Sequence, residues 1–299
     1  MFVLENLKIE KLEYFDTHTH YDHRRFDCGR HELIAQMHEN GLKYAVNAAI
    51  SFETNKAMQK ELSKYEWIYF AHGIHPRAVT MSDENDNKYE ACLREMLKSD
   101  RAVAVGETGL DYHNLEQLIA SENSVTDNLV IDEDLVKTRQ KLWFHKSIRL
   151  AMQAKLPLIL HIRDSHEDAL EILEQYSFAD RAGVVHCFTG DYDFARRYAD
   201  MGFVIGIGGK VTYEQEQELR EVVKSLPLDK IVLETDSPFV LPVGAAGSRN
   251  NSNNLLLIAK EIAEIKNISL NEVLSVTMEN GKKLFGIKGY NDSYEENAR

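Results

Sequence analysis

Residues 102–112 read AVAVGETGLDY: a run of small and apolar residues suited to a buried strand, then Gly106 and Glu107, where a strand should pass into a loop. A lone carboxylate beside such a run is costly to bury unless something pairs with it. The arrangement recurs along the chain. FDTHTH carries His18 and His20, LPLILHIRD carries His161, GVVHCFTG carries His186, and IVLETDSPF carries Asp236. Six side chains able to ligate a metal thus close five apolar runs. Working outward from them, apolar runs and breakers place strands at 14–18, 43–49, 68–73, 102–107, 158–161, 183–186, 203–206 and 231–234. Helical patterns lie at 30–40, 53–64, 88–98, 134–155, 166–176, 194–201, 214–225, 253–265 and 270–285. Eight strands alternating with helices predict an α/β fold, a TIM-like (β/α)8 barrel with its site at the C-terminal strand ends. An open doubly wound sheet would gather its site at one switch crevice. Polar strand ends spread through the whole chain favour the closed barrel.

The 299 residues, 43% hydrophobic and 28% charged, can bury a sizeable core. Residues 1–286 are expected to form one barrel, with 287–299 a polar, mobile tail. Residues 114–133 form a polar, acidic insertion after the fourth strand, read as a long loop that limits access of long polyanions. The start, MFVLENLKIEKLE, mixes charges into a short apolar stretch and lacks the core of a signal peptide. No uncharged apolar run is long enough to span a bilayer. Cys28, Cys92 and Cys187 are few and scattered, which predicts reduced thiols and a cytoplasmic protein. The net charge of −13, from 35 basic and 48 acidic residues, argues against a long basic groove for duplex DNA. It does not exclude a phosphate substrate, because bound cations dominate the local field of such sites.

Each candidate has a bland reading beside the functional one. His18 and His20 are two apart, so on a strand both rings project to one side and can share a cation; histidines so spaced also occur in cores and on surfaces. Glu107 is a surface acid or salt bridge in the bland reading, and a carboxylate bridging two cations in the other. His161 and His186 singly suit hydrogen-bonded core histidines; together they offer neutral nitrogens that zinc, manganese or cobalt accept. Asp236 precedes Ser237-Pro238 and suits a turn, or a terminal ligand able to take a proton from water. Agreement of strand order, residue type and position favours a binuclear centre.

DTHTHYD, GIHP, VGETGLDY, HIRD, HCFTG, ETDSPF and ENGKKLFG, in that order, resemble the TatD-type metal-dependent deoxyribonucleases of the amidohydrolase superfamily. The resemblance implies that His18, His20, Glu107 and Asp236 hold one divalent cation, and Glu107, His161 and His186 the other. Magnesium, zinc and manganese are the candidate ions. It also implies that Asp236 and Glu107 are catalytic and that His75 and Arg163 lie near the substrate phosphate. His75 could otherwise stabilise the turn before Pro76, and Arg163 could pair with Asp164 or Glu167. The sequence departs from the family at His145, read as standing where a helical Gln is usual, and at Arg249-Asn250-Asn251-Ser252, where RNEP is usual.

The resemblance implies hydrolysis of phosphodiester bonds at nucleic-acid ends, with single-stranded DNA ends or small phosphodiesters as substrates. Arg163 and Arg249 are the basic residues placed near the mouth. One alternative is a hydrolase of small phosphoesters, esters or amides using the same centre. Another is a non-catalytic barrel acting as a scaffold.

Overall fold

The computed structural model describes residues 12–79, 81–82, 84–124, 131–178 and 181–288. The expectations for the N-terminal stretch before residue 12 and for the tail from 289 lie outside the described residues. Eight parallel strands run in the order β1 to β8: Tyr14–Thr19, Leu42–Ala48, Ile68–His72, Ala102–Asp111, Leu158–Arg163, Gly183–Val185, Phe203–Ile207 and Ile231–Leu233. Beyond β8 the ring closes on β1 through a parallel bridge between Thr19 and Ser237. The Asp236 N–H donates to His18 O at 3.0 Å and the His20 N–H to Ser237 O at 2.8 Å across that seam. The fold is the expected (β/α)8 barrel.

Ten helices lie among the described residues: α1 Arg30–Glu39, α2 Phe52–Leu62, α3 Asp86–Met96, α4 Leu115–Asn123, α5 Glu133–Ala154, α6 His166–Leu173, α7 Tyr192–Asp200, α8 Gln217–Ser225, α9 Leu255–Lys266 and α10 Leu270–Phe285. Side-chain oxygens of Ser51, Asp132, Asp191 and Ser269 cap α2, α5, α7 and α10, each satisfying a backbone N–H that the first turn leaves open. None of the described helices is long and apolar enough to cross a membrane.

Strand alternation sorts the core into two layers. The larger cluster joins Leu158, Leu160, Val185, Ile231 and Leu233 to helix residues such as Ile148, Leu170, Val222 and Ile258. The smaller takes the intervening Ile159, Val184 and Val232, and so occupies the inner face, where Leu284 and Phe285 of α10 join it. His161 and His186 continue the inward phase of Ile159 and Val184.

The insertion corrects the reading of a long loop. Part of it forms α4, held by Leu115, Leu118 and Ile119 in a small cluster with Met81, Ile131 and Val136. Residues 125–130 lie outside the described residues.

Candidate metal centre

All six expected ligands converge at the C-terminal rim. His18 lies in β1 and His20 follows it, His161 lies in β5, His186 follows β6, and Asp236 lies three residues past β8. Glu107 departs from its expected place at a strand end, because β4 continues to Asp111. A register shift between Val105 and Thr108 resumes the pairing with β5 beyond it.

Glu107 is the hub, 2% exposed. Its Oε1 lies 2.7 Å from both His161 Nδ1 and His186 Nε2, which are 3.0 Å apart. Its Oε2 faces His18 Nε2 at 3.5 Å and His20 Nε2 at 3.6 Å, again 3.0 Å apart. Asp236 Oδ1 completes the second group, 3.6 Å from His18 Nε2 and 3.3 Å from His20 Nε2. His20 Nδ1 lies 2.9 Å from Ala48 O, so it carries the ring proton and leaves an Nε2 lone pair pointing into the cluster. Lone pairs and carboxylate oxygens thus face one another in a buried space, an array that repels itself unless a cation or protons sit in it. The donor set fits divalent metals.

The electrostatics follow from this crowding. Burial acts to raise the Glu107 pKa, but His186, His75 and His18 outweigh it and hold the carboxyl well below its usual range. Asp236 is likewise lowered against burial, by His20 and His18. Burial opposes charge on His186, yet the Glu107 carboxylate carries its pKa well above the ordinary value. His20 rises to about 9 against burial because Asp236 and Glu107 face it.

His75 serves two roles at once. Its Nδ1 accepts the Arg77 N–H at 3.0 Å, which stabilises the turn after Pro76. The proton therefore sits on Nε2, which faces Glu107 Oε1 at 3.6 Å as a donor. Burial, aided by His161, lowers the His75 pKa to about 3 and keeps the ring neutral. Arg163 is exposed and lines a cavity of about 320 Å³ together with His161, His186 and Asp236. Asp164 bonds His113 at 2.7 Å and Glu167 bonds Arg197 at 3.0 Å, so neither serves as its partner. A larger cavity, about 490 Å³, opens beside Met152, Lys155 and Phe178, away from this chemistry.

Other polar neighbours stand close to the cluster. Asp111 Oδ2 stands 3.4 Å from His161 Nε2 and takes Arg77 Nε at 2.6 Å. His75, Asp111 and His161 are close enough to suggest a third metal group. Arg77 already neutralises Asp111, however, and His75 presents a proton rather than a lone pair, so that trio is a poor cation site. Buried Glu234 accepts the Cys187 N–H and lies 3.7 Å from His186 Nδ1. Asp111 and Glu234 stood in the quoted strands and were passed over for their neighbours. Lys210 and Phe239 also line the cavity.

Two of the residues singled out in the sequence lie apart from the centre. His145 bonds Tyr176 OH at 2.7 Å, away from the centre; Gln140 and Ser147 are α5 residues that reach β4, Gln140 accepting the Asp111 N–H at 2.9 Å and Ser147 Oγ the Thr108 hydroxyl at 2.9 Å. Arg249 stacks over Phe26 and bonds Arg25 O, and it does not line the cavity.

Known proteins are similar to this chain in sequence and in fold. The uncharacterized metal-dependent hydrolase YabD of Bacillus subtilis is 33% identical over 274 residues, covering 91% of this chain and 99% of its own. The uncharacterized metal-dependent hydrolase YcfH of Escherichia coli is 29% identical over 279 residues, covering 91% and 95%. The crystal structure of YjjV, a TatD homolog from Escherichia coli, superimposes with a TM-score of 0.79 at 26% identity, covering 93% and 99%. The sequence profile of the family described as TatD related DNase matches residues 15–286, and the chain is a metal-dependent hydrolase belonging to that family.

Proposed function

We propose that this protein hydrolyses phosphodiester bonds at nucleic-acid ends, using two divalent cations. The observation that carries the reading is Glu107, whose two oxygens each face a separate histidine pair. His18, His20, Asp236 and Glu107 Oε2 would hold one cation, and Glu107 Oε1, His161 and His186 the other. When bound, the cations supply Lewis acidity to a phosphoryl oxygen and to the attacking water. Asp236 orients that water and accepts its proton. His75 donates from Nε2 to a phosphoryl oxygen, and Arg163 adds charge from the cavity wall. Ala48 O fixes the tautomer of His20, and the Glu234 carboxylate faces the His186 ring. The mixture of carboxylates and imidazoles accepts zinc or manganese readily and magnesium through its oxygens. All three cysteines are free thiols, which suits the reducing cytoplasm.

The test is turnover of single-stranded oligonucleotides and of small phosphodiesters by metal-reconstituted protein, with a chelated control. Metal-dependent release of nucleotides from oligonucleotide ends supports the reading. Turnover of small esters alone would transfer the centre to compact substrates, and no metal-dependent turnover of either class would refute hydrolysis of phosphodiesters.

A further inference from the structure

Two cations face the ligand cluster without a carboxylate of their own. Arg163 leaves the end of β5, and Lys210 sits in the 3-10 turn Gly209–Thr212 that follows β7. Both line the cavity that contains His161, His186 and Asp236. Among the described residues neither forms an ion pair, and Lys210 is only half-exposed. A half-buried ammonium beside a metal centre has a physical cost. Two dications would outweigh Glu107 and Asp236, and these side chains add to that surplus. The loaded cavity therefore calls for an anion.

Phe239 marks the lip of the same cavity. It is 36% exposed, with its ring edge-on to His20 at 6.1 Å and to His23 at 5.3 Å. Its loop is fixed on both sides. Asn250 Nδ2 donates to Thr235 O at 2.9 Å and Val240 O at 3.0 Å, and Arg25 donates to Pro238 O at 3.3 Å. Gly209 lies so close to the Val240 carbonyl oxygen that any Cβ there would collide with it. The turn bearing Lys210 and the loop bearing Phe239 thus form one packed unit. An apolar ring held at the mouth of a cationic cavity suits a flat, uncharged π-face attached to an anion.

We propose that this cavity is a mononucleotide subsite, with the phosphate held by Lys210 and Arg163 and the base stacked on Phe239. The proposal rests on the phosphodiesterase reading and narrows it, because about 320 Å³ is near the lower size of ligand pockets and accepts one terminal nucleotide rather than a duplex. Stacking on an aromatic side chain tolerates any base, so the subsite selects an end without selecting a sequence.

The test is equilibrium binding to metal-loaded protein of inorganic phosphate and of deoxyadenosine monophosphate. Metal content is measured for every variant, since neither Lys210 nor Phe239 is among the candidate ligands. Lys210→Met is expected to weaken both probes about tenfold, the scale of a charge-assisted hydrogen bond. Phe239→Ala should leave inorganic phosphate unchanged and weaken the nucleotide roughly 5- to 10-fold, the lower range for lost stacking; Phe239→Tyr should restore it. Wild-type affinity of Lys210→Met for both probes would overturn the phosphate assignment. Equal effects of Phe239→Ala on both probes, or none, would overturn the stacking assignment. These losses in a protein that cleaves no oligonucleotide would uphold the subsite and refute the nuclease reading. Oligonucleotide cleavage with unaltered variants would do the reverse.

Discussion

Replacing Glu107 with Gln tests the bridging geometry with little change of shape. The amide can donate to the nitrogens of His161 and His186, which now lie 2.7 Å from Oε1, so the rim should stay folded. The charge is lost, however, and both groups lose it together. A unit charge about 4 Å from a dication, at an effective dielectric of about 20, is worth about 8 kcal/mol. If only a quarter of that survives competition with water, each site loses about 30-fold in affinity. Calorimetric titration with zinc or manganese, checked by elemental analysis, should show both equivalents weakened. In the metal-free variant the main charge lifting His186 is gone, and its pKa should fall, as read by NMR. Two equivalents at wild-type affinity would refute the bridge. Loss of one with the other unaltered would place Glu107 on a single cation.

Asp236→Asn should fold normally and lose about 10²–10⁴-fold in turnover, the usual scale of a general base; near-wild-type rates with metals retained would leave Asp236 as a turn residue. Remote from the centre, buried Asp86 accepts from Arg139 at 2.7 and 3.1 Å, Trp143 at 3.1 Å and Lys146 at 3.3 Å. Asp86→Ala should cost about 3 kcal/mol, roughly 6–12 °C in melting temperature. Burial pushes the Asp86 pKa up, but Arg139 and Lys146 overcome this and hold it below the ordinary 3.8. Its contribution is therefore full above that value and lost as pH falls through the folded pKa. The gap between wild type and variant should close in acid, and a gap independent of pH would assign the loss to packing alone. Gly209→Ala should push the Val240 segment outward, leaving metal content intact while reducing nucleotide affinity; unchanged affinity would show that the turn and the loop move independently.

The barrel was legible because parallel strands buried on both faces read as apolar runs that stop at polar or glycine residues. Seven strands end within two residues of their expected limits, whereas β4 runs to Asp111. There Gly106 and Gly109 look like breakers, yet Thr108, Gly109, Leu110 and Asp111 pair with Leu160, His161, Ile162 and Arg163. A register shift of this kind is set by the neighbouring strand and leaves no local signal. The helix α4 was legible in principle. Leu115, Leu118 and Ile119 have the i, i+3, i+4 spacing of a helical face, masked by the acidic composition around them.

The six candidate ligand positions could be read because each lies in or just past one of five strands, and the chemistry of a site resides where the barrel ends its strands. Lys210 and Phe239 belong to a different case. No candidate ligand closes β7, and Gly208-Gly209 reads simply as a turn. Lys210 reaches the cavity wall because Gly209 admits the Val240 carbonyl, a contact across 31 residues that also carries Thr212 Oγ1 to the Val243 N–H at 2.8 Å. Arg249 shows the converse: its place after β8 suggested the mouth, but Phe26 and the Arg25 carbonyl draw it aside. A ligand at a strand end inherits its direction from the pleat, while a loop cation takes its direction from whatever loop packs against it. Substrate preference in this barrel should therefore follow the fit between the β7 and β8 loops more closely than the ligand motifs that identify the family.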